Sequence, residues 1–159
     1  MLKEQEHIYL LEPDDTASDI PFGFRTPQGT SSVTITLDFA PDSERDAAVC
    51  RKPILDALRL YDPQVPESFL EEHWQDYLPV KNLITISLEH EGSYLGNAHR
   101  WDCQQSHFFT ASQTARGFCK PQSLCGEWKG MLHIHEVISP KCRAVLKIIW
   151  EVCDELDTI

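Results

Sequence analysis

Two histidines, His133 and His135, form the sharpest chemical signal in this chain, because they lie two positions apart in a segment that predicts a strand. Side chains at positions i and i+2 of a strand point to the same face, so both imidazoles could ligate one metal ion. Glu136 follows directly, and strict alternation places it on the opposite face. The alternative interpretation is a pair of histidines on the solvent-facing side of a sheet.

Other potential metal ligands lie upstream, at His99, Cys103 and His107. Zinc prefers four thiolate or imidazole ligands. However, the spacing of these three residues matches no strong zinc template, and the sequence contains no Cys-x-x-Cys. We therefore expect no resident cofactor. Zinc bound by His133 and His135, with help from the upstream residues, is the alternative.

Catalytic motifs give no positive signal. Ser106 and His107 are neighbours in sequence only, and no Gly-x-Ser-x-Gly elbow is present. Phosphate-binding glycine loops are also missing from the sequence. The sequence therefore favours a protein that is not an enzyme.

A second candidate site combines an aromatic side chain with planar hydrogen-bonding groups. Sandwich domains often bind sugars or peptides with such sets at loop ends, where the scaffold presents variable residues. The alternative is a tryptophan packed at a sheet edge beside a polar turn. The residues are Arg100, Trp101, Asp102, Gln104 and Gln105.

Apolar and polar residues alternate along most of the chain, which predicts β-strands. Both candidate sites lie in or beside these strands, so the strands must position them. Short strands separated by turns are typical of a β-sandwich or barrel. The strongest pattern has Val33, Ile35, Leu37 and Phe39 on one face. The predicted strands cover residues 8–11, 32–39, 82–89, 94–101, 105–111, 127–138 and 142–153.

Residues 42–79 break this alternation and predict a helical excursion. Ser43 could cap a short helix, Pro53 suits a first helical turn, and Pro66 could open a second helix. This segment could cover an open end or face of the sandwich. Alternatively, its aromatic residues Phe69, Trp74 and Tyr77 could cover a partner protein rather than the chain's own core.

Several short motifs resemble a β-sandwich module found at the N-terminus of some bacterial metallohydrolases of the PHP (polymerase and histidinol phosphatase) class. They are the Pro27-Gln28-Gly29-Thr30 turn before a long strand, the Tyr94-Leu95-Gly96-Asn97 segment, and the Gly126-Glu127-Trp128 step. More loosely, they are similar to the jelly-roll-like pre-peptidase C-terminal domains. The resemblance implies an accessory, non-catalytic sandwich. The 42–79 excursion departs from that module, and the 159 residues show no PHP catalytic domain, so we do not expect the enzyme's activity in this chain.

Composition and charge narrow the classes of partner. The chain has 159 residues and a formal net charge of −11, which disfavours binding to nucleic-acid phosphates and to anionic membranes. Residues 1–16 lack the pattern of a secretory signal, so we expect a cytoplasmic protein. The six cysteines are then expected to be reduced, and most of them to be packed as small apolar side chains.

Taken together, the sequence predicts one domain over residues 1–159. Its fold class is an antiparallel, jelly-roll-like β-sandwich with a short helical insertion around 43–79. The expected function is non-catalytic binding of a small ligand, a carbohydrate or a partner protein. The alternative is a small metal-binding protein or metalloenzyme that uses His133 and His135.

Overall fold

A computed structural model describes residues 1–153, which fold into two four-stranded antiparallel sheets and one short two-stranded sheet. The first sheet has the strand order β1-β10-β3-β8, and the second has the order β2-β9-β6-β7. The predicted β-sandwich is therefore confirmed. The strands are β1 (Leu2–Leu11), β2 (Ser18–Thr26), β3 (Thr30–Ala40), β4 (Ser43–Glu44), β5 (Val80–Lys81), β6 (Leu83–His90), β7 (Ser93–Ala98), β8 (Gln104–Thr110), β9 (Gly126–Glu136) and β10 (Cys142–Val152).

Alternation along the central strands explains why the two sheets pack face to face. In β3, Val33, Ile35 and Leu37 are fully buried, whereas the intervening threonines are partly exposed to water. Strand β10 repeats the pattern with Leu146 and Ile148. Each such side chain contributes about 1.5–3 kcal/mol when it leaves water, so these strands supply much of the stability of the fold.

Aromatic residues fill one part of the space between the sheets. The Trp128 ring is fully buried and stacks on Phe24 with ring centroids 5.6 Å apart. Its indole nitrogen donates a hydrogen bond of 3.2 Å to the Thr26 hydroxyl. The buried polar group of this large side chain is therefore satisfied, as burial requires.

The helical excursion begins after β4 and ends at β5, and these two short strands pair with each other. It contains α1 (Ala47–Tyr61), α2 (Glu67–His73) and a 3-10 turn (Trp74–Tyr77). Asp46 caps α1, since its carboxylate accepts a hydrogen bond of 2.9 Å from the Ala48 amide. Ser43 is therefore not the cap. Pro53 lies inside α1 rather than in its first turn, because the helix begins six residues earlier than expected.

The helices build a second, smaller core at one end of the sandwich. Its buried members are Cys50, Ile54, Leu55, Leu70, Trp74 and Ile138. Trp74 is only 6% exposed. The expectation that Trp74 covers a partner protein is therefore wrong, because this side chain packs against the chain's own helices. Phe69 and Tyr77 are each about half exposed.

Asn82 ties this end together from a fully buried position. Its amide nitrogen donates to the Pro41 carbonyl and to the Ser139 hydroxyl, both at 2.9 Å. Its amide oxygen accepts a hydrogen bond of 2.8 Å from the Ile138 backbone. One side chain thus links the start of the excursion, the start of β6 and the turn between β9 and β10.

The sequence predicts that most of the cysteines pack as small apolar side chains, but the structure fully buries only two of the six. All six are free, with Cys50 and Cys142 buried, Cys103 and Cys125 partly buried, and Cys119 and Cys153 exposed. Within residues 1–153, no helix has the length and apolar character needed to cross a membrane.

Candidate ligand-binding groove

An apolar groove of about 940 Å³ lies between α1 and the end of β9. One wall comes from α1, where Pro53, Ile54, Ala57 and Leu58 line the cavity. Positions separated by three or four residues share one face of a helix, so α1 presents a continuous apolar surface here. The remaining apolar lining is Pro79, Val80, Leu83 and Ile138, and the aromatic lining is Tyr77 and Trp101.

Three polar side chains line the same groove, namely Lys81, His135 and Glu136. An apolar pocket with a few polar groups is the usual form of a small-molecule site, since the apolar walls provide affinity and the polar groups fix orientation. The groove therefore has the composition of a ligand site.

A β-bulge explains how two consecutive residues of β9 reach one groove. Ile84 pairs with Ile134, but the preceding residue of β6, Leu83, pairs with Glu136. His135 is thus an extra residue on β9, and such an insertion re-aims the side chains around it. The bulge interrupts the strict alternation expected here, and both His135 and Glu136 line the groove.

Glu136 is the unusual group in the groove. Burial raises the pKa of its carboxyl above the ordinary value, with no other cause contributing. No hydrogen bond or ion pair to this carboxylate is found among residues 1–153, although its side chain is partly buried. Glu136 also lines a smaller adjoining pocket of about 290 Å³, so it lies where two cavities meet.

Lys81 is the other charged residue of the groove, and it is exposed at the end of β5. It lines the groove and also a polar pocket of about 340 Å³ that contains Asp42 and Asp102. A lysine stem is long and flexible, so its ammonium can turn toward these acids while its methylenes cover the apolar wall.

The predicted metal ligands separate into two groups. His99, His133 and His135 lie near one another on the outer face of the second sheet, with ring centroids 5.0 Å apart for His99 and His135 and 6.1 Å apart for His133 and His135. His107 is fully buried between the sheets, and Cys103 packs partly against the main core. The five residues therefore do not form one site, because β8 belongs to the other sheet and turns His107 inward.

Two of the outer-face histidines already have hydrogen-bond partners in the protein. His133 bonds through Nδ1 to the Asp19 carboxylate at 2.7 Å and through Nε2 to the Ser87 hydroxyl at 2.9 Å. His135 bonds through Nε2 to the Thr85 hydroxyl at 2.8 Å. Within the described part of the chain, no three histidine, cysteine or acidic side chains are arranged to hold a metal ion. Metal binding by His133 and His135 stays a prediction.

Burial lowers the pKa of His135, and the charges of His99 and His133 add to this effect. A neutral imidazole beside the groove can donate or accept a hydrogen bond without carrying charge. Of the polar groups that line the groove, this leaves Lys81 and Glu136 as the charged ones.

Of the five predicted ligand-binding residues, three line pockets and two make hydrogen bonds within the protein. Trp101 lines the groove, and Trp101, Asp102 and Gln104 share the polar pocket beside it. The other two are structural. Arg100 donates to the Arg116 carbonyl at 2.7 Å, and the buried Gln105 amide donates to the Asp102 carbonyl at 2.9 Å.

Comparisons with known proteins add no functional information. No protein-family model matches the chain, and no curated protein matches it. Among solved structures, the chain is similar to a crystal structure of a protein from Sulfurospirillum deleyianum. That match has 12% identity, 95% coverage of this chain, 98% coverage of the other and a TM-score of 0.34. At this level the similarity carries no argument about function.

Proposed function

We propose that this protein is a non-catalytic binding protein that holds a small, mainly apolar molecule in the groove between α1 and β9. The observation that carries the proposal is a groove of about 940 Å³ with apolar walls and three polar side chains. This volume falls within the range of ordinary small-molecule pockets. The accessory role implied by the resemblance to the PHP-associated module is compatible with it.

Burial of apolar ligand surface provides the driving force for such binding, at about 25 cal/mol per Å² removed from water. The wall residues come from two parts of the chain that a buried network at Asn82 holds together. The groove is therefore shaped before a ligand arrives, which reduces the entropy lost on binding.

A neutral fluorescent probe, N-phenyl-1-naphthylamine, tests this proposal. We expect a saturable rise in fluorescence with one probe bound per chain. Ala57→Trp places an indole in the groove from an exposed helix position. We expect this change to weaken probe binding at least about tenfold, which corresponds to about 1.4 kcal/mol.

The matched control is Ala47→Trp, at an exposed position in the first turn of the same helix that does not line the groove. It should bind the probe as the wild type does. Equal binding by both variants, or no binding by the wild type, would contradict the proposal. So would turnover of esters or phosphoesters that depends on His133 or His135.

A further inference from the structure

One groove is lined by a partly buried carboxylate and by two large aromatic side chains. Glu136 lines the groove together with Tyr77 and Trp101. These aromatic side chains are 54% and 56% exposed, so a large part of each is open to solvent and to a ligand. The carboxylate has no hydrogen-bond or ion-pair partner among residues 1–153.

A carboxylate in apolar surroundings is destabilised unless a positive group or a hydrogen-bond donor meets it. Aromatic faces attract cations as well, by about 0.5–2 kcal/mol, and tryptophan is the strongest of them. The whole chain also carries a net charge of −11, which raises the local concentration of cations around it. The carboxylate, the aromatic faces and the negative net charge therefore all favour a positively charged ligand.

Lys81 is the one group at the groove that opposes a cation. Its side chain is exposed, and it shares the adjoining polar pocket with Asp42 and Asp102. An anionic ligand drawn to Lys81 would have to lie in the same groove as the Glu136 carboxylate, which is the more buried of the two charges. Of the two charged groups at the groove, the more buried Glu136 therefore decides the preference, and it favours a cationic ligand.

From this juxtaposition we infer that the ligand of the groove is an organic cation, a protonated or quaternary amine on an apolar body. Its positive group lies against Glu136, in the groove that the Trp101 and Tyr77 rings also line, and its apolar part lies along α1. This inference rests on the proposed function, because it names the ligand class for the same groove.

A series of three naphthalene compounds tests the charge separately from the apolar body. They are 1-naphthylmethylamine, which is cationic at pH 7, neutral 1-naphthalenemethanol, and anionic 1-naphthoic acid. Isothermal titration at low salt should rank the amine first, at least about fivefold tighter than the alcohol, and the acid last. Added salt should reduce the preference for the amine, because the attraction is electrostatic.

Two variants of the groove should then change the ranking in opposite directions. Glu136→Gln should bring the affinity for the amine down to that for the alcohol and leave the alcohol unchanged. Lys81→Met should strengthen binding of the amine by removing a like charge. The control Glu127→Gln alters an exposed carboxylate of the same strand that pairs with Lys129, and it should change nothing.

The outcomes separate the two claims. If the alcohol binds and the amine shows no preference, or the acid binds tightest, the inference is overturned while groove binding stands. If the preference for the amine survives Glu136→Gln, the inference is also overturned. If none of the three compounds binds, both the inference and the proposed function fail.

Discussion

Two polar regions near the end of β9 differ in how their polar groups are satisfied. On the outer face of the second sheet, His133 has a partner at each ring nitrogen, Asp19 and Ser87. In the groove, the Glu136 carboxylate is partly buried and has no partner among residues 1–153. A polar cluster whose groups already bond to one another stabilises the fold. A partly buried charge without a partner indicates where a ligand could bind.

The largest expected effect concerns the network that holds the groove together. Asn82→Ala should lower the free energy of unfolding by about 3 kcal/mol, because it leaves the Ile138 amide and the Pro41 carbonyl without their partner. Urea denaturation measures this change.

The matched control for this prediction is Asn97→Ala, in the second sheet. The Asn97 amide is exposed and donates only to the Tyr94 hydroxyl at 3.1 Å. Its loss should cost less than about 0.5 kcal/mol. Similar losses for the two variants would contradict the structural role given to Asn82.

His107 extends the comparison to the interior of the sandwich, where an imidazole is buried and its Nδ1 atom has no partner in the described structure. Burial lowers the pKa of His107 to about 4 from 6.5. The unfolded chain therefore binds this proton more readily, and stability falls as the pH drops from about 6.5 to about 4.

In wild type, protonation of His107 should lower the free energy of unfolding by up to about 3 kcal/mol in acid. His107→Leu should not show this decrease. The measurement is the free energy of unfolding at pH 7 and at pH 4.5, in both proteins. An identical pH dependence in wild type and His107→Leu would show that His107 does not control it.

The outer-face histidines should behave as structural groups. His133→Ala should destabilise the protein by about 1 kcal/mol, since it removes two hydrogen bonds at a partly exposed position. Equimolar zinc should raise the melting temperature of the wild type no more than that of His135→Ala. A larger zinc effect in the wild type would favour the metal-binding alternative, and elemental analysis of the native protein would then identify the ion.

The smallest effect is expected for Glu136 in the absence of ligand. Because burial raises the pKa of this carboxyl, the folded protein binds the proton more tightly than the unfolded chain does. Stability therefore falls as the pH rises through the ordinary pKa of glutamate, about 4.3, and the cost persists at neutral pH. Glu136→Gln should melt slightly higher than the wild type at pH 7 and equally below about pH 4. A lower melting temperature at pH 7 would reveal a stabilising partner of the carboxylate.

The sequence predicts the sandwich because its signals are local. Alternation in β3 and β10 is visible in the chain itself, and the prolines of residues 42–79 mark the helical excursion. The start of α1 is less visible in the sequence, because Pro53 favours a first helical turn whereas the Asp46 cap starts the helix earlier.

The groove could not be predicted in the same way. It requires α1 to pack beside the end of β9, which depends on long-range contacts such as those of Ile138 with the second core. It also requires the bulge at His135, which no alternation pattern reveals and which brings Glu136 to the same cavity. The sequence predicts Trp101 as a ligand-binding residue but gives no signal that Lys81 and Glu136 line the same groove.

The most direct test of ligand binding in the groove is an NMR titration of the tryptophan indole signals with 1-naphthalenemethanol. The chain has four tryptophans, of which Trp101 lines the groove and Trp128 is buried between the sheets. We predict a saturable shift of the Trp101 indole proton, with the Trp128 signal unchanged. A Trp101 signal that stays in place while the compound binds, or no binding at all, would contradict the account.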